Sequence, residues 1–294
     1  MNRILLKLRS LLKGRSGMLR VIFASKKGTA GLIILLVFFI IAAFAPLITP
    51  YNPYASDFDA WQAPSSKHLL GTTNLGEDIF SQIIYGTRLS FSIAIASSIL
   101  ATVIAIVIGI IAGYKGGFID RVAMSMSNIF LVLPALPLMI VIAVYIQMKG
   151  AVPIITVIAL TTWAWDARVF RSQTLSLKER EFIRSAIVIG DSDFRIIFKD
   201  LMPNMISLIV SGAVGTALYA VVAEASLEFI GLGDPTAVTW GTMIFWAITS
   251  FAQAKEAWWW FIPPAVAIGL LGCGFALLNF AIDEITNPRL QRIR

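Results

Sequence analysis

Apolar residues in this chain neither alternate nor form helical stripes; they come in long runs, at 28–48, 89–112, 122–146, 205–223 and 258–282, separated by polar connections. About 20 apolar residues carry a helix across a hydrocarbon layer roughly 30 Å thick, where each backbone polar group has to be satisfied within its own segment. A shorter run begins at 151 and reaches about 170 if Arg168 extends its charged head to the interface. The pattern predicts an all-α membrane protein with six transmembrane helices. One more apolar stretch, 236–252, contains Trp240, Phe245 and Trp246, and periodicity alone leaves its status open.

The basic residues decide it. Short loops that stay in the cytoplasm retain Lys and Arg in excess, whereas translocated loops do not. Of the 24 Lys and Arg, 20 fall in the head 1–27, at Lys115 and Arg121, in the stretch 166–202 and in the tail 283–294. Only Lys67, Arg88, Lys149 and Lys255 occupy the alternate connections. This split requires an even number of crossings with both termini cytoplasmic. Counting 236–252 as a span would move Arg289, Arg292 and Arg294 outside, so the segment reads as a re-entrant or interfacial helix on the outer face. The triplet Ala43-Phe44-Ala45 resembles a signal-peptidase site, but the long basic leader and long apolar run fit an uncleaved first span better.

Composition narrows the chemistry. With 57% hydrophobic and 14% charged residues over 294 positions, the chain lies outside the range of soluble domains. The net charge of +7 is the sum of membrane-flanking loops, so nucleic acid is not an expected partner. One cysteine, Cys273, and one histidine, His68, rule out a disulfide and leave too few ligands for a zinc or iron centre built from Cys and His. No phosphate-binding G-x-x-x-x-G-K-[ST] loop occurs, so ATP chemistry by that route belongs to a partner.

Several local features bear on organisation. The outward loop 49–88 carries Pro50, Pro53 and Pro64 and reads equally as a lid on the bundle or a docking surface. Pro134 and Pro137 are expected to kink the third span, and Gly109 and Gly113 to form a close-packing face on the second. Glu224 and Glu228 share a face at the outer end of the fifth span, where they line a vestibule or mark the helix leaving lipid. No carboxylate is expected at the centre of a span, which argues against an ion-coupled carrier. A membrane-embedded enzyme would need a polar catalytic pair facing a cavity.

The most informative stretch is the longest internal cytoplasmic segment. Residues 181–189 predict a short helix with Phe182, Ala186 and Ile189 on one face and Gly190 at its C-terminal end. Asp191–Asp193 offers a cap for a second helix presenting Phe194, Ile197, Phe198 and Leu201. Two amphipathic pieces joined at a glycine make a stiff knob suited to being gripped from the cytoplasm.

This segment resembles the cytoplasmic loop of ABC importer permeases, described by Glu-Ala-Ala, three residues, Gly, nine residues and Ile-x-Leu-Pro. Ala186, Gly190 and Pro203 match the pattern; Arg184, Ser185, Asp200 and Met202 depart from it. Further stretches are similar to the second-permease (C-type) subunit of the dipeptide/oligopeptide/nickel branch: His68-Leu-Leu-Gly-Thr72, Tyr85-Gly-Thr-Arg-Leu-Ser90, Ala112-Gly-Tyr-Lys-Gly-Gly117, Ala223-Glu-Ala-Ser-Leu-Glu-Phe-Ile-Gly-Leu-Gly233, Thr239-Trp-Gly-Thr-Met243 and Asn287-Pro-Arg-Leu290.

The resemblance implies a type I ABC importer in the plasma membrane, with six helices per permease and the coupling-helix loop, 171–202, between spans 4 and 5. It implies a second homologous permease subunit, two cytoplasmic ABC ATPases holding ATP and Mg, and an extracytoplasmic substrate-binding protein. This chain itself would bind no cofactor or metal and catalyse nothing. The ATPase-coupling residues would be Glu181, Phe182, Arg184, Ser185, Ala186, Gly190, Asp191, Phe194 and Pro203, with Ala186 turned toward the ATPase groove. The implied cargo is a dipeptide or oligopeptide, with oligosaccharides and nickel as alternatives.

Overall fold

The computed structural model describes residues 23, 25–146 and 149–286. Most of the basic head and the 287–294 part of the tail, with its Asn-Pro-Arg-Leu motif, lie outside them. In chain order the helices are α1 (Lys26–Ile48), α2 (Ile79–Lys115), α3 (Gly117–Val132), α4 (Ala135–Ile146), α5 (Ala151–Lys178), α6 (Glu181–Ile189), α7 (Asp193–Arg195), α8 (Met202–Phe229), α9 (Trp240–Thr249) and α10 (Trp258–Thr286). Five helical stretches, α1, α2, α5, the one containing α8, and α10, are long and apolar enough to cross a membrane. A sixth crossing exists only if α3 and α4, bent by 99° at their junction, count together. The expected six spans are reached when that bent pair is taken as one crossing.

The bend exceeds the kink expected of Pro134 and Pro137. Leu133, crowded by the following proline ring, takes extended backbone at φ −72°, ψ 135°, and ends α3. Pro134 has no N–H to continue the ladder, and its carbonyl instead accepts from Leu138 N at 3.1 Å to start α4. Pro137 sits in the first turn of α4, where a missing donor costs nothing. Two helices therefore replace one kinked span.

α2 and α5 form the central pair. A Cβ on Gly109 would stand 2.4 Å from the Ala167 carbonyl oxygen, so only hydrogen permits this approach. Ser98 on α2 donates to the Ala213 carbonyl of α8 at 2.6 Å, joining the third member. Packing falls into two clusters. One, around Phe38, Ile93, Trp240, Trp260 and Leu271, lies toward the 49–78 loop. The other, around Ile110, Phe170, Ile183, Leu201 and Met205, lies at the opposite end.

The 49–78 loop is packed down on the bundle. His68 Nδ1 lies 2.9 Å from Asp78 Oδ1, both side chains buried, and Asp78 Oδ2 accepts from Ser81 N at 2.8 Å to cap α2. Trp259 on α10 donates to the Thr72 carbonyl. α9, with ten residues, is about 15 Å long and too short to span. Its Thr239 and Thr242 form a reciprocal cap. In the turn before it, the Thr236 hydroxyl and N–H donate to Asp234 at 2.6 and 2.9 Å and hold that carboxyl below the usual range.

Several boundaries move. α2 starts at Ile79 and ends at Lys115 and not 89–112, so the outer loop ends at 78 and not 88. α5 continues to Lys178, beyond the expected end near 170, so the connecting segment starts at 179 and not 171. α8 runs from Met202 to Phe229 and not 205–223.

Candidate coupling knob and membrane cavity

The knob is built from residues 179–203. Arg180 is extended (ψ 144°) and α6 begins at Glu181, whose carboxylate sits in the first turn near the positive end of the helix dipole. Gly190 ends it in the left-handed region at φ 84°, ψ 24°. Its N–H donates to Ile187 O at 3.1 Å, and Asp191 N–H donates to Ala186 O at 3.0 Å, a closed helix end that turns the chain sharply. Ser192, within the expected Asp191–Asp193 turn, then supplies the cap for Arg195 N. Residues Ile196–Leu201 widen into a π-helical turn, with Met202 N–H donating to Ile197 O, before Pro203 enters the first turn of α8.

Covalent continuity is not the knob's only attachment to the bundle. Ile183, Ile196 and Leu201 are buried in the same cluster as Ile110 and Phe170. Tyr114, at the end of α2, donates to Asp193 Oδ1 at 2.9 Å, and Lys115 pairs with the other oxygen of the same carboxylate. Lys178 donates to the Tyr114 carbonyl at 2.7 Å. A force on the knob therefore reaches α2, α5 and α8 together.

Ala186 corrects one expectation. It is 8% exposed and packs with Ile183 into the bundle cluster, so it does not form the outward surface. The outward face is formed instead by Phe182, Ile187, Val188, Ile189, Phe194 and Phe198, all exposed, with Val188 at 86%. The Phe194 and Phe198 rings pack at 4.4 Å between centroids. Glu181, Ser185 and Pro203 are exposed, Asp191 is half-buried and pairs with Arg195, and Arg184 pairs with Glu179 on the surface. Contiguous apolar exposure on a polar end of a protein marks an interaction surface.

The second feature is a cavity of about 770 Å³ between the α3–α4 bend, α5, α8 and α10. Its wall combines Trp165 and Tyr219 with Asp166, Ser211, Asn279 and Asp283. Asp166 accepts from Thr216 Oγ1 at 2.9 Å. The Ser211 hydroxyl bridges α8 to α10 through Asn279 Oδ1 at 3.1 Å and Asp283 Oδ1. Asp166 lies within α5, which runs on to Lys178, and not in the connecting segment where its place in the sequence put it. The fall in hydropathy at Trp165-Asp166 hid it. A legible signal was present, because buried positions Trp163, Ala167, Phe170, Thr174 and Leu177 continue the 3.6-residue period straight past it.

Glu224 and Glu228 do not line an open vestibule. Both are buried, at 0% and 2% exposure. Ser90 Oγ donates to Glu224 Oε1 at 2.9 Å, and the same hydroxyl accepts from Trp240 N at 3.3 Å. Glu228 accepts from the Thr239 hydroxyl. The pair ties α9 to α2 and α8 and holds the short helix against the bundle.

Comparison with known proteins fits this architecture. Residues 105–292 match the family of binding-protein-dependent transport system inner membrane components, and residues 16–65 match the N-terminal TM domain of oligopeptide transport permease C. The chain is 31% identical over 270 residues to the dipeptide transport system permease protein DppC of Bacillus subtilis, covering 91% of this chain and 83% of the relative. It is 33% identical over 285 residues to the oligopeptide transport system permease protein OppC of Mycobacterium tuberculosis H37Rv, covering 95% and 96%. The oligopeptide permease OppC of Bacillus subtilis is 30% identical over 287 residues, covering 97% and 92%. The chain belongs to the binding-protein-dependent transport system inner membrane component family, and its multi-pass helical architecture is that of a type I ABC importer permease.

Proposed function

We propose that this chain is one of two permease subunits of an ATP-driven peptide importer, set in the plasma membrane with both termini cytoplasmic. A second homologous permease completes the pathway, two cytoplasmic ATPases hydrolyse ATP with Mg, and an extracytoplasmic binding protein delivers the cargo. The observation that carries this reading is the apolar knob surface of Phe182, Val188, Ile189 and Phe194, rigidly anchored to three spanning helices. A motor biases a membrane bundle only through a surface that fits one of its states better, and this surface is positioned to transmit that bias. The peptide cargo rests on the names of the relatives, which are dipeptide and oligopeptide permeases.

Asp166 puts a carboxylate inside a helix long enough to cross a membrane, which weakens the sequence argument against an ion-coupled carrier; family membership is what sets that reading aside. The test is ATP-dependent peptide uptake by the reconstituted complex. Val188→Asp and Phe194→Asp are expected to lower uptake at least tenfold, about the span of one coupling free energy, with membrane insertion unchanged. Undiminished uptake in both contradicts the proposal.

A further inference from the structure

Asp166 is 8% exposed, yet the structure gives it only a neutral partner, Thr216 on Oδ2. Its Oδ1 has no hydrogen-bond partner among the described residues, and the residue lines the cavity. Asp283, bonded to the Ser211 hydroxyl, puts a second carboxylate on the same wall. No Lys, Arg or His is among the described lining residues. The nearest arginines along α5 are engaged elsewhere: Arg171 donates to both oxygens of Asp120, at 2.9 and 2.5 Å, and Arg168 donates to Asn128. A carboxylate kept within a membrane-crossing helix at the known energetic cost, without a cation beside it among the described residues, is a functional group awaiting one.

The geometry points to this cavity as a binding site for an organic ammonium group, and we infer that the group is the N-terminal amine of a peptide in transit, with Asp166 as its counter-ion. This rests on the peptide-permease reading above and adds the part of the substrate that is recognised. At about 770 Å³ the space is far larger than a bare metal ion and holds a short peptide. Trp165 and Tyr219 supply aromatic faces for a cation or an apolar side chain. Gly212 contributes by omission: a Cβ there would lie 3.0 Å from Asp166 Oδ1 and crowd the free oxygen.

The test places a reporter thiol in the wall. Gly215→Cys is accommodated, because a Cβ there meets only Asn279 Nδ2, at 3.5 Å; Cys273→Ala removes the native thiol. In the reconstituted complex, labelling rates are measured with cationic, anionic and neutral methanethiosulfonates. The cationic reagent is expected to react about tenfold or more faster than the anionic one, as in a cleft focusing negative potential. Asp166→Asn is expected to abolish most of that preference and Asp166→Glu to keep it, with the neutral reagent's rate unchanged to show an intact cavity. Protection is then measured with trialanine, N-acetyl-trialanine and N-acetyl-Ala-Lys-Ala. Protection by trialanine alone assigns the N-terminal amine, and protection by the lysine peptide as well assigns any ammonium. Equal protection by all three, with a charge preference indifferent to Asp166, overturns the site and leaves the peptide reading standing. A charge preference that depends on Asp166, with no protection by any peptide while the same complex takes up peptide, overturns the amine assignment and leaves the peptide reading standing; absent uptake overturns the peptide reading itself.

Discussion

Gly190 holds φ +84°, a conformation that costs an L-residue about 1–2 kcal/mol and a β-branched one more. No atom crowds its Cβ position, so Gly190→Val acts through the backbone and is expected to loosen the turn between α6 and α7. Lower peptide uptake with normal expression would register this; Gly190→Asn, tolerant of the same φ, is expected to behave nearly as the native protein. Ala186 and Ser185 separate surface from core. Ala186→Asp buries an uncompensated charge beside Ile183 and Leu201 and is expected to cost about 3–5 kcal/mol, visible as a fall in thermal stability. Ser185→Asp, on the exposed side of the same helix, is expected to leave stability within about 0.5 kcal/mol.

Gly190 was legible because a glycine after an apolar helical period is a helix end whatever surrounds it. Ala186 was not: α6 is amphipathic with apolar residues on both its buried and its exposed sides, so periodicity alone could not say which side meets the bundle. The burial of Glu224 and Glu228 was equally hidden, because it depends on Ser90, 134 residues before Glu224, and on α9 folding back so that its cap Thr239 meets Glu228.

Among the elements, the α2–α5 contact is the tightest constraint. Gly109→Val would drive side-chain atoms into the Ala167 backbone, and it is expected to destabilise the bundle by about 3 kcal/mol, at the upper end of overpacking. Detergent-solution melting of the purified chain checks this, and Gly269→Val, whose Cβ meets nothing within 4 Å, is the matched control. The small-residue spacing at Gly109 and Gly113 announced this contact. The break at Leu133-Pro134 was announced in place but not in size, since a proline specifies a lost hydrogen bond while the 99° angle depends on how α3 and α4 each pack against α5. The shortness of α9 followed from charge parity, without any local signal.

For the molecule as a whole, runs of apolar residues and the distribution of Lys and Arg were enough to outline the bundle, because lipid imposes length and topology on every span. Asp166 escaped because a cavity is a tertiary object: only with α5, α8 and α10 assembled does a polar residue inside a hydrophobic run come to line one. The central claim is that the exposed face of α6 is cytoplasmic and held by a motor. The most direct measurement is labelling of Val188→Cys, in a Cys273→Ala background, by a membrane-impermeant maleimide in oriented vesicles. The account predicts reaction in inside-out vesicles only, and protection when the ATPase subunits are added back. Reaction in right-side-out vesicles alone, or labelling indifferent to the ATPases, would contradict it.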